Sequence, residues 1–132
     1  MKHPIHCIVV DDDEFSNKIS KIRLLNFLKG IKISTFTIPQ EGLEYLMNSL
    51  PEEEIILFLD INMPIMNGWE FLEKFDMLST DKKARIKVFI LSSSLDQNDR
   101  RKASMNKYVI DYFVKPMEKE LILNLFKEYV KL

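Results

Sequence analysis

At 132 residues, 46% hydrophobic and 30% charged, the chain has the size and balance of one globular domain with a real core, which excludes a disordered tail. Nineteen basic against twenty acidic residues leave a net charge of −1, so no global pull toward nucleic acid or an anionic membrane is expected. No stretch approaches a membrane span, no signal-peptide pattern precedes Asp11, and Cys7 is the only cysteine, so a reducing cytoplasm is the expected location.

Short apolar runs alternate with longer amphipathic ones. Ile5–Val10 reads as a first strand, running into Asp11-Asp12-Asp13. A helix follows, with Phe15, Ile19 and Ile22 at i, i+4 and i+7 as its apolar stripe. Ile31–Thr37 reads as the second strand, and Leu43, Leu46 and Met47 mark the second helix. Ile55–Leu59 is a third strand and Lys87–Leu91 a fourth, both almost continuously apolar, as strands of a parallel sheet covered on both faces are. Between them Trp69, Leu72 and Phe75 mark a third helix, while Lys82, Lys83 and Arg85 read as a solvated loop. The fourth helix, about Gln97 to Asn106, is weakly apolar and should be the most exposed. Val109–Val114 is the fifth strand; Ile122, Leu125, Phe126 and Tyr129 define a last helix that runs almost to Leu132, so one domain over 1–132 without an output domain is expected. Five βα units in this order predict an open, doubly wound α/β fold with a five-stranded parallel sheet.

In such sheets, ligands bind beyond the carboxyl ends of the strands. Those ends carry Asp11-Asp12-Asp13, Asp60, Ser92-Ser93-Ser94 and Lys115-Pro116. Asp13 suits a helix N-cap, whereas Asp11 and Asp12 follow a buried strand and meet a third carboxylate, which suits a hard cation such as Mg²⁺. A carboxylate beside Mg²⁺ can act as a nucleophile toward phosphorus, the role read for Asp60. Three ionised carboxylates, one Mg²⁺ and the Lys115 ammonium sum to zero charge. Ser92 offers a hydroxyl to a phosphoryl oxygen; Ser94 fits a capping box with Gln97, and Asp96 is the rival cap. His3 and His6 lie at the amino end, where a structural or solvent role is expected. An aspartyl phosphatase of the haloacid-dehalogenase type would instead use Asp11 as nucleophile, although 132 residues leave little room for its cap. A purely interactive domain of the same fold is the other alternative.

These residues resemble the receiver domains of two-component response regulators, of the chemotaxis-regulator type, over essentially the whole chain. Val9-Val10-Asp11-Asp12 is similar to the family's acidic pair, and Leu59-Asp60-Ile61-Asn62-Met63-Pro64 with Gly68 to its phosphoacceptor loop. Ser92 stands at its Ser/Thr position, and Tyr112-Phe113-Val114-Lys115-Pro116 is similar to its Lys-Pro segment. The resemblance implies a flavodoxin-like sheet of order 2-1-3-4-5 and a signalling switch rather than an enzyme acting on other molecules. Asp60 would take a phosphoryl group from a sensor histidine kinase or histidine phosphotransfer protein. Mg²⁺, with Mn²⁺ as a substitute, would be bound by Asp12, Asp60 and the Asn62 carbonyl, and by Asp11 through water. Ser92 and Lys115 would contact the phosphoryl group. Ser92 and Tyr112 would move inward as the switch, and Asn62 and Ser94 would tune dephosphorylation. The face built from the fourth helix, fifth strand and fifth helix would then change its affinity for a protein target. A cis Lys115–Pro116 bond is also implied. Two features depart from the pattern: Met105 to Tyr108 lack the usual glycine, and Asn67 stands where an acidic residue is common.

Overall fold

The computed structural model describes residues 5–50 and 52–129. Its elements run β1 (Ile5–Val10), α1 (Glu14–Phe27), β2 (Lys32–Phe36), α2 (Pro39–Asn48), β3 (Glu54–Leu59), α3 (Gly68–Phe75), α4 (Thr80–Ala84), β4 (Ile86–Ser92), α5 (Gln97–Met105), β5 (Val109–Val114) and α6 (Lys119–Tyr129). The strands form one parallel sheet of order β2-β1-β3-β4-β5, the flavodoxin-like order. The chain reverses direction across the sheet at β1, and this switch point opens a crevice beyond β1 and β3.

Alternation along the strands divides the core in two. Ile8, Val10, Leu57, Leu59, Val88 and Ile90 face one side, where Leu43 and Leu46 of α2 and Phe71, Leu72 and Phe75 of α3 cover them. Cys7, Val9, Ile56, Phe58, Phe89 and Leu91 face the other, under Leu24 of α1 and Ile122, Leu125 and Phe126 of α6. Both faces of the central strands are therefore dry, which explains their unbroken apolar runs. Burial also pushes the Cys7 thiol up to about 12, so it stays protonated as a small core residue.

Three sequence expectations need correction. The α1 stripe of Phe15, Ile19 and Ile22 faces outward, 71%, 38% and 57% exposed, while Asn17, Ser20 and Leu24 are buried. A 3.6-residue period identifies a helix but not the arc that meets the sheet; here the Asp13 cap and hydrogen bonds from Asn17 to strand-end carbonyls set the rotation. Met47 likewise points outward, unlike Leu43 and Leu46. The basic run is not a free loop. It forms α4, capped by Ser79; Lys82 donates to the Met47 carbonyl, Lys83 to that of Asp76 at 2.9 Å, and Arg85 pairs with Glu54 at 3.2 Å. A five-residue turn is too short to carry a periodic signal.

The remaining elements stand as read, within a residue or two at their ends. The helix over 97–105 buries only Ala103 and is the most exposed of the five helices read from the sequence, although the short α4 buries none. Lys115–Pro116 is cis. His6 is buried and structural: its ring nitrogens meet Glu53 and Ser34, each at 2.7 Å. His3 lies outside the described residues, as does Leu132, to which the last helix was expected almost to run.

Candidate functional site

Register places the first two acids. Val10 pairs with Leu59, so the next residue of each strand, Asp11 and Asp60, leaves the sheet side by side. Across β4 and β5, Ser92 pairs with Val114, and the Lys115 N–H donates to the Ser92 carbonyl at 2.9 Å. Lys115 thus leaves at the same edge. Its ammonium is hydrogen-bonded to a carboxylate oxygen of Asp11 and lies 3.5 Å from one of Asp60. Carboxylate oxygens of Asp11, Asp12 and Asp60 all come within 4.8 Å of one another. Asp11 and Asp60 are buried, Asp12 is exposed.

Each group is oriented locally. Asp11 Oδ1 accepts from the Asp13 N–H at 3.0 Å, and Asp60 Oδ1 from the Asn62 N–H at 3.3 Å. Asp13 is the α1 cap, accepting from Phe15 N and Ser16 N, as its sequence position suggests. Asn67 caps α3 in a full capping box with Glu70, so its amide serves the turn where an acid is common. Gly68 is required there by close approach. A Cβ on it would lie 2.8 Å from the Asp60 carbonyl oxygen and from Ile61 Cα.

The two buried acids titrate in opposite directions. Burial pushes Asp11 up, but the Lys115 ion pair and the donors from Asp13 and Ser16 outweigh it and hold Asp11 below the usual carboxylate range. Asp60 is raised, chiefly by burial; Lys115 pulls it down, and the neighbouring Asp11 charge pushes it up by less. Three carboxylates and one ammonium leave two negative charges in a crevice where two of the acids are buried. An all-oxygen donor set with that surplus fits a divalent hard cation such as Mg²⁺.

At the end of β4, Ser92 is fully buried and its Oγ accepts from the Ser94 N–H at 3.1 Å. The Ser94–Gln97 capping box does not form: Asp96 caps α5 through Asn98 N. Ser94 instead donates to Asp99 Oδ2 at 2.6 Å, because its hydroxyl is turned toward the first turn of α5. Tyr112 is buried, its hydroxyl donating to the Ser94 carbonyl at 2.8 Å and the Arg100 guanidinium lying 5.0 Å over its ring. Asn62 is exposed beside Asp60. Sequence reasoning missed Asn17 and Asp99. Neither carries a motif, since each matters through a partner several residues away that only the folded turn brings near.

Fold and site together define a doubly wound α/β protein with a cation-competent acidic crevice and a bridging lysine at its switch point. The family model of the response regulator receiver domain matches residues 7–127. The chain belongs to that family: it is a receiver domain of two-component response regulators. It is 30% identical to the transcriptional regulatory protein PrrA of Mycobacterium leprae over 83% of this chain, although it spans only 42% of that protein's length. With the chemotaxis protein CheY of Listeria monocytogenes it shares 26% identity over 94% of this chain and 97% of the other. The crystal structure of a response regulator receiver protein from Dyadobacter fermentans superposes with a TM-score of 0.89 at 30% identity, covering 96% of this chain and 98% of that one.

Proposed function

We propose that Asp60 is the phosphoacceptor of a Mg²⁺-dependent switch whose phosphoryl donor is a sensor histidine kinase or a histidine phosphotransfer protein. One observation carries this reading: a single lysine from β5 holds the buried acids that close β1 and β3, with Asp12 alongside. Asp12, Asp60 and the Asn62 carbonyl would hold the metal, and Asp11 would do so through water. Bound Mg²⁺, or Mn²⁺ in its place, supplies positive charge that offsets the transferred phosphoryl oxygens. A carboxylate oxygen of Asp60 attacks phosphorus; the P–N bond of the phosphohistidine breaks, and the imidazole keeps its electron pair. Lys115, released from Asp60, pairs with a phosphoryl oxygen as a compact point charge. Ser92 donates its hydroxyl to another oxygen. Positioning and charge do most of the work in such a transfer.

The Ser92 and Ser94 backbone links this chemistry to Tyr112. Rotation of Ser92 toward the phosphoryl group breaks its bond with the Ser94 N–H, and the Ser94 carbonyl anchors the Tyr112 hydroxyl. The α5, β5 and α6 face is the output surface, acting on a protein target, while Asn62 and Ser94 flank the site and set the dephosphorylation rate. Activity would be that of a cytoplasmic switch, assisting its own phosphorylation and dephosphorylation, without direct contact with nucleic acid or membrane.

Incubation with Mg²⁺ and acetyl phosphate, followed by intact mass measurement, should give a gain of one phosphate that maps to Asp60. The gain should vanish in Asp60→Asn and on chelation of Mg²⁺. Wild-type protein that is folded but gains no mass would refute the reading; modification at Asp11 would favour an aspartyl phosphatase.

A further inference from the structure

We infer that Asn17 is a positioning residue that aims Asp12 at the cation, an inference that rests on the metal-dependent reading above. Asn17 lies on α1, 2% exposed, and carries no charge. Its Nδ2 donates to the Asp11 carbonyl at 2.8 Å and, more weakly, to the Phe36 carbonyl at 3.4 Å. Both acceptors are carbonyls, so the amide can present only its nitrogen to them. Its Oδ1 is buried and has no partner among the described residues. An unpaired buried carbonyl is destabilising, and an apolar side chain of the same size would avoid that cost. What such a side chain could not do is hold the Asp11 carbonyl.

That carbonyl belongs to the peptide unit joining Asp11 to Asp12. Among the described residues, the unit makes one hydrogen bond, the one from Asn17. The preceding unit is held by the strand end, through Asp11 N–H to the Phe36 carbonyl at 3.0 Å, and the following one by Asp13 N–H to Asp11 Oδ1. Asp12 itself is exposed, at a bend between β1 and α1. The tilt of the 11–12 peptide plane therefore decides where its Cα–Cβ bond points. Asn17 fixes that tilt from a rigid helix face. Partners that orient metal ligands in this way are typically worth 10- to 100-fold in metal affinity.

The test is Asn17→Leu, which keeps the volume and removes the donor. Mg²⁺ titrations followed by ¹H–¹⁵N spectra, and acetyl phosphate phosphorylation rates across Mg²⁺ concentration, are compared with wild type. The Mg²⁺ midpoint should rise about tenfold, with the rate at saturating Mg²⁺ changing less than threefold. A folded variant whose midpoint moves less than threefold overturns the inference. Should the variant not fold, the wild type decides: the Asn17 side-chain resonance should shift with the same midpoint as the Asp12 amide, and an unmoved resonance overturns it. Wild-type protein that binds no Mg²⁺ would instead refute the metal-dependent reading itself.

Discussion

Replacing Gly68 by alanine tests whether the backbone of the acceptor loop is as tightly seated as the contacts imply. A Cβ there would lie 2.8 Å from the Asp60 carbonyl oxygen, 2.8 Å from Ile61 Cα and 2.9 Å from Ile61 Cγ2. Ordinary contact begins at 3.4 Å, so 3.4 − 2.8 leaves a deficit of 0.6 Å against two backbone atoms. Neither side yields cheaply. α3 is pinned by Phe71, Leu72 and Phe75, each no more than 2% exposed, and Asp60 N–H is bonded to the Val10 carbonyl. The Gly68 N–H bond to the Ile61 carbonyl, 3.1 Å, would be strained as well. Overpacking of this kind costs about 1–3 kcal/mol, less a few tenths recovered from the better helix propensity of alanine. A net loss of about 2 kcal/mol corresponds to a fall in Tm of roughly 7 °C for a domain of this size. Displacing the nucleophile by about half an ångström should also slow acetyl phosphate phosphorylation about tenfold at saturating Mg²⁺. Thermal unfolding by circular dichroism and time-resolved intact mass measure the two effects. A variant within 2 °C and twofold of wild type would show that the loop relaxes freely, and the reasoning from close approach would fail.

Lys115→Met leaves Asp11 and Asp60 buried without their cation, and urea denaturation without metal at pH 7.5 should show a loss of about 3 kcal/mol. Mg²⁺ should restore more stability to this variant than it adds to wild type; an unchanged metal-free midpoint would show that Lys115 does not neutralise the cluster. His6 predicts a pH dependence of stability. Burial lowers its pKa below 6.5 against the opposing pull of Glu53, so the unfolded chain takes up the proton first as pH falls. Its contribution is present above pH 6.5 and lost as pH drops through the folded value, so the stability gap between wild type and His6→Gln should narrow from pH 7 to pH 5. Parallel curves for the two proteins would contradict this assignment.

The α/β class, the five strands and the residues that close them follow from the amino-acid pattern alone, because apolar runs covered on two faces and acids at strand ends are local signals. Asp11, Asp12, Asp60, Ser92 and Lys115 were all legible in this way. Their convergence was an inference from topology, and parallel register is what made it true: pairing Val10 with Leu59 and Ser92 with Val114 delivers side chains from distant segments to one edge. Rotation and contact, by contrast, are set by packing between elements. The outward turn of Phe15, Ile19 and Ile22, the burial of Asn17 under Asp11, the role of Asp99 rather than Gln97 for Ser94, and the crowding at Gly68 each depend on the distance between groups that no periodicity encodes. Hydrophobic pattern specifies which elements form; hydrogen bonds and close packing between them specify how each is turned.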